Sequence, residues 1–148
     1  MYKQILIPLE NSPADNKILD HIRVLAKFLN SGLVLVHVAD GYAARLQNDL
    51  NLEDSEEIKN DQRYLEQMKE GLVKEGFRVK TYLVQGEPSD EILAIAQKEN
   101  CDLIAMSTHG HRFLKDFILG SVAESIRHRT DIPILMIRTS MKESHPKS

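Results

Sequence analysis

Small, polar and cationic side chains gather in one stretch, Ser107-Thr108-His109-Gly110-His111-Arg112, and a second small pair, Gly120-Ser121, lies a little further on. An apolar run, Leu103-Ile104-Ala105-Met106, leads into the first group, and Val122 to Arg127 reads as a helix after the second. The local order is therefore strand, polar loop and helix start, with a glycine at each bend. Glycine admits positive φ and lets a ligand approach the backbone closely. A helix start offers free N–H groups and a partial positive charge, which suits a phosphate. Phosphate binding is the chemistry this spacing could do. N–H groups from about Gly110 to Arg112 and from Ser121 to Val122 would converge on the phosphates, and the Ser121 hydroxyl would add one bond. His109, His111, Arg112 and Lys115 make the loop locally positive, either to screen phosphates or simply as solvated residues. Ser121 with Glu124 also has the spacing of a capping box, a purely structural role. No cysteine or paired carboxylate stands beside His109 and His111 to complete a metal site. A Mg²⁺ ion would more naturally arrive with the phosphates.

These residues need elements to hold them. Ile5-Leu6-Ile7-Pro8-Leu9 is a continuous apolar run of the kind found in buried parallel strands. Ser12-Pro13 signals a helix start, with Asp15 three residues after Ser12 as a capping partner. Ile18, Leu19, Ile22, Leu25, Ala26 and Leu29 then recur at helical spacing, and Asn30-Ser31-Gly32 stops the helix. Leu33 to Val38 reads as a second buried strand. Ala39 to Ser55 has no clear periodicity and is long for a compact connection, so it is expected to be a functional loop or lid. Its Tyr42, Leu46, Leu50 and Leu52 would cover an apolar surface or pack on the sheet edge. Glu56 to Lys74 carries a helical stripe ended by Gly76. Phe77 to Gln85 alternates polar and apolar residues, the mark of an edge strand. Gly86-Glu87-Pro88-Ser89 turns into a third helix. Cys101 to Ser107 is the fourth strand, Ser121 to Arg129 the fourth helix, and Ile132 to Ile137 the fifth strand, with Pro133 indicating an edge or a strand start. Residues 139–148 form a polar tail expected to be disordered.

Alternating strands and helices argue an α/β domain with a parallel sheet. Strands one and four are the most apolar, which places them centrally and side by side, with strands three and five at the edges. The resulting order, 3-2-1-4-5, is a single doubly wound, Rossmann-like five-stranded sheet with helices on both faces. Ligands bind such sheets at the carboxyl ends of the strands where the winding reverses. Here those ends are Pro8-Leu9-Glu10 and Ser107 to Gly110.

The chain has 148 residues and a net charge of −3, which suits one domain over residues 1–138 and disfavours a nucleic-acid surface. No apolar run approaches the roughly 20 residues of a membrane span. The N-terminus shows no cleavable signal pattern. Cys101 is the only cysteine and reads as a core residue. A cytoplasmic location is expected.

This arrangement resembles the universal stress protein family over about residues 2–138. The family's nucleotide-binding subgroup carries glycine, two residues, glycine, nine residues, glycine, then serine or threonine. Gly110 matches the second glycine, and Gly120-Ser121 match the end. Ser107 stands where the first glycine would be, and Glu10 where the family usually has aspartate. The order 3-2-1-4-5 draws on this resemblance as well as on the apolar content of the strands. The resemblance implies an adenine nucleotide, ATP or ADP or AMP, held between Pro8, Leu9, Glu10 and Val38 on one side and the loop on the other. The loop side would comprise Ser107, His109, Gly110, His111 and Arg112, with Gly120, Ser121 and Val122 at the helix start. Val38 would line the base pocket, and Glu10 would contact ribose or cap the next helix. The resemblance also implies a homodimer through Ile134 to Ile137. Thr108-His109-Gly110-His111 spells a nucleotidyltransferase signature as well. That signature normally follows the first strand and has a C-terminal partner motif, so here it reads as coincidence.

Three functions stay in view: a regulatory nucleotide-binding module of the stress response with little turnover and an unknown protein partner, a slow ATP hydrolase or nucleotidyltransferase, and a non-binding relative acting through protein contacts. No base is evident that would position water on a γ-phosphate, which favours the first.

Overall fold

The computed structural model describes residues 1–39, 56–109 and 119–139. In chain order the elements are β1 (Gln4–Pro8), α1 (Ala14–Leu29), β2 (Gly32–Ala39), α2 (Glu56–Lys74), β3 (Val79–Gln85), α3 (Pro88–Lys98), β4 (Leu103–His109), α4 (Leu119–Arg127) and β5 (Ile134–Thr139). The five strands form one sheet in the order β3-β2-β1-β4-β5, and every neighbouring pair is parallel. This is the doubly wound arrangement expected from the apolar strands.

Each central strand is apolar on both sides because helices cover both faces. Ile5, Ile7, Leu33, Leu35, Leu103 and Ala105 pack against Ile18, Leu19 and Ile22 of α1 and Leu65 and Leu72 of α2. Their alternates, Leu6, Val34, Val36, Ile104 and Met106, pack against Ile92 and Ile95 of α3 and Val122, Ala123 and Ile126 of α4. Cys101 is a free thiol within this second cluster, and burial pushes it up to about 12.

Several boundaries differ from the sequence expectation. α1 does end at the expected stop, where Asn30 adopts the left-handed conformation (φ 58) and donates its N–H to the Ala26 carbonyl. Gly32 is already in β2. β4 runs on to His109, so Thr108 and His109 are strand residues, paired with Arg138 and Thr139, where a loop was expected. The hydrogen-bond ladder with β5 carries the strand past the last apolar residue. β5 begins after Pro133, whose carbonyl still accepts from the Ile104 N–H at 3.0 Å, and it includes Thr139, the first residue assigned to the polar tail. The rest of that tail, and the expected lid with Tyr42, Leu46, Leu50 and Leu52, lie outside the described residues. Among the described residues no helix is long and apolar enough to cross a membrane.

Candidate functional site

The strand order reverses between β1 and β4, which are hydrogen-bonded neighbours with Ile5 opposite Leu103 and Leu6 opposite Ile104. A crevice at their carboxyl ends is the position such sheets reserve for ligands. Of the expected site residues that are described, Pro8, Leu9, Val38 and Ser107 lie at or near the carboxyl ends of the strands. Pro8 ends β1, and Leu9 stays attached to β2 through its N–H on the Val36 carbonyl at 2.7 Å. Val38, half-buried, lies at the end of β2 and packs toward the α3–α4 layer. Ser107 lies two residues before the end of β4, opposite Ile137. Gly110, His111 and Arg112 fall outside the described residues, as do the side chains of His109 and Gly120.

Ser107 is fully buried, and its Oγ has no hydrogen-bond partner. It is the one side-chain polar atom among the described residues in that condition. A buried hydroxyl without a partner carries a desolvation cost of about 1–3 kcal/mol, and such atoms in native proteins call for a specific reason.

At α4 the sequence expectation needs correction. The helix already includes Leu119 and Gly120, so Gly120 is a helical residue and not a bend, and Ser121 sits inside the helix and not at its cap. The capping box with Glu124 therefore does not form. Glu124 instead pairs with Arg127 at 3.3 Å and His128 at 3.4 Å on the exposed face. Cβ-bearing side chains point backward along a helix, and Val122 is buried in the second core cluster. The Val122 side chain is therefore turned into the core, whereas Ser121 is exposed.

The wall below Leu9 and Glu10 is polar and was largely missed from sequence. Asp15, fully buried at the start of α1, accepts from the backbone N–H groups of Glu10 at 3.0 Å, Asn11 at 2.8 Å and Ser12 at 3.3 Å, and from the Tyr64 hydroxyl at 2.6 Å. The expected pairing of Ser12 with Asp15 thus exists in one direction only. Ser12 itself accepts from Ala14 N–H at 3.2 Å and donates to Glu10 Oε2 at 2.7 Å. Glu10 therefore supports the start of α1 through Ser12. Burial raises the Asp15 carboxyl above its ordinary value against the pull of its four donors. Every neighbour of that carboxylate is a donor, so the charged form is the one the site is built for. Tyr64 is pushed well up by burial and by the Asp15 charge, and so keeps the proton it donates.

His37 lies beside this cluster. Its Nδ1 is 2.8 Å from the Leu9 carbonyl and its Nε2 is 3.1 Å from Asp61 of α2, whose other oxygen accepts from Asn11 Nδ2 at 2.8 Å. Asn11 has a left-handed backbone (φ 65). A period-two reading of Leu33-Leu35-His37 and a helical reading of Asp61-Tyr64-Leu65-Met68 would have placed both polar groups on the inward faces.

Comparison with known proteins agrees with this geometry. The universal stress protein family model matches residues 1–138. A universal stress protein of Methanocaldococcus jannaschii is 32% identical over 158 aligned residues, covering 93% of this chain and 96% of its own. The solved structure of that protein superimposes with a TM-score of 0.74 at 34% identity, covering 94% of this chain and 97% of the other. A universal stress protein of Archaeoglobus fulgidus in complex with dAMP shares the fold at 19% identity, with a TM-score of 0.67 over 92% of this chain and 98% of that one. So does a universal stress protein in complex with cAMP, at 17% identity and a TM-score of 0.65 over 93% and 97% of the two chains. The parallel 3-2-1-4-5 sheet, its crevice and these matches lead to one conclusion: the chain belongs to the universal stress protein family.

Proposed function

We propose that this protein is a cytoplasmic regulatory module of the stress response that binds an adenine nucleotide, ATP or a close relative, in the crevice between the ends of β1 and β4. The observation that carries the reading is Ser107. A hydroxyl buried without a partner at the switch point of a doubly wound sheet is a donor or acceptor kept for something else. Family members bind dAMP and cAMP, which supports an adenine nucleotide as that partner class. Pro8, Leu9, Glu10 and Val38 would meet the nucleoside, and Gly110, His111 and Arg112 with Gly120, Ser121 and Val122 the phosphates. His109 would stand at the strand end between them. A Mg²⁺ ion would come with the phosphates and not from protein ligands. The module would act as a homodimer through β5 on a regulatory partner protein, with little or no turnover.

Mass spectrometry of nucleotide released from purified, denatured protein tests this reading, together with calorimetric titration of ATP and AMP. An adenine nucleotide in the released material and saturable binding are expected. A protein that carries none and binds neither would instead be a family member acting through protein contacts alone.

A further inference from the structure

The Leu9 carbonyl can only accept a hydrogen bond, and an ionised Asp61 can only accept as well. Asp61 is ionised at neutral pH: burial pushes its carboxyl up, but His37 and Asn11 outweigh burial and hold it below the ordinary value. Both ring nitrogens of His37 face acceptors, so both must carry protons and the ring is an imidazolium. A neutral imidazole has a single donor. Once the proton leaves, one of the two contacts must be lost.

Those contacts span two elements. Leu9 follows β1 and precedes Glu10, while Asp61 belongs to α2 and also holds Asn11. The ring thus bridges Leu9, one of the residues assigned to the nucleoside side, and Asp61 of α2, and the His37 and Asp61 side chains are only 12% and 13% exposed.

We propose that His37 is a positioning residue for the nucleotide site: its imidazolium ties the end of β1 to α2, and nucleotide affinity falls when the ring is neutral. This rests on the nucleotide reading above. The charged groups acting on His37 are Asp61 from α2 and, further off, Asp15 from α1. β1 supplies the Leu9 carbonyl, and β3 supplies apolar Leu83 as register partner. Burial alone would favour the neutral ring. The hydrogen bonds to Asp61 and Leu9 and the charges of Asp61 and Asp15 outweigh it, so the ring keeps its proton above the ordinary histidine value of 6.5.

The test is calorimetric titration of the full chain with ATP and with AMP between about pH 6 and 9, for wild type, His37→Gln, Asp61→Asn and His21→Gln. Wild-type affinity should fall about fivefold or more as pH rises, the size of an ordinary coupling between sites. His37→Gln should bind weakly throughout and retain only the shallow change due to the nucleotide's own phosphate. Asp61→Asn should move the step to lower pH, because the ring loses its carboxylate. His21→Gln, exposed on α1, should follow wild type. Superimposable pH profiles for wild type and His37→Gln, or an unmoved step in Asp61→Asn, would overturn the proposal; if His37→Gln does not fold, Asp61→Asn decides alone. Binding without a His37-dependent step removes the positioning role and leaves the nucleotide reading intact. Absence of ATP and AMP binding at every pH removes both.

Discussion

A carboxylate with four donors and no acceptor, Asp15, shows how the turn after β1 keeps its shape. Tyr64→Phe removes the shortest of those donors while preserving volume. A hydrogen bond to a charged group contributes about 1.5–3 kcal/mol, so the variant should be less stable by about 2 kcal/mol, read from urea denaturation. An unchanged midpoint would mean that the three backbone donors suffice. The His37–Asp61 pair has a two-sided pH dependence. His37 is raised from 6.5, so its contribution is complete below that value and fades as pH climbs through the raised folded value. Asp61 is lowered from 3.8, so its contribution is complete above 3.8 and fades as pH falls through the lowered folded value. The pair is therefore at full strength between about 3.8 and 6.5. Unfolding free energies from urea denaturation between pH 4 and 9 should decline on the alkaline side by about 1–3 kcal/mol, and His37→Gln should flatten that decline. If the phosphates meet the start of α4 as proposed, Ser121→Ala should weaken ATP about tenfold, equivalent to about 1.4 kcal/mol. Equal calorimetric affinities would place the phosphates elsewhere. Of these residues, sequence reading singled out Ser121, Glu10 and, as a local cap, Asp15. His37, Asp61 and Tyr64 escaped it because their significance lies in contacts between β2, α2 and the turn after β1, which local spacing does not encode.

β5 is the element with the least protection. It is a sheet edge preceded by Pro133, and an edge strand exposes a row of unpaired backbone groups to any matching strand. Leu135 and Ile137 pack partly against the α1–α2 core layer, so charges there would damage the core as well as any interface. Met136 is the apolar residue that points outward, at 50% exposure. If the protein dimerises through β5, Met136→Lys should shift it toward monomer in light scattering at micromolar concentration while leaving the circular dichroism unchanged. A wild type already monomeric under those conditions would remove the interface. Elements as such were readily legible. The continuous apolar runs of β1 and β2 and the striped helices α1 and α2 announce themselves through periodicity. Their ends were less so. β4 extends through Thr108 and His109 because β5 offers them ladder partners, and α4 starts before Ser121 although Gly120 reads as a bend. In both places a tertiary or cooperative contact prevails over a weak local preference.

For the molecule as a whole, the binding-module reading sets an upper bound on chemistry. Incubation with ATP should show turnover far below the roughly 10 per second of a typical enzyme, measured as phosphate release over hours. Turnover at that level would promote the hydrolase or transferase alternative. The fold class was within reach of the sequence, because hydrophobic burial is encoded by residue type and period: fully apolar strands demand two covering layers, and the edge strand β3 betrays itself by alternation; the strand order drew on the family resemblance as well. With that order the reversal of winding between β1 and β4 pointed to their carboxyl ends as the place for a ligand. What the tertiary structure alone decided is how that crevice is lined and braced. Ser107 proves to be a buried hydroxyl without a partner, Gly120 and Ser121 are helical, and the two ring nitrogens of His37 join Leu9 to Asp61. These outcomes depend on desolvation and on hydrogen-bond geometry between residues far apart in the chain, and such quantities exist only once the layers have packed.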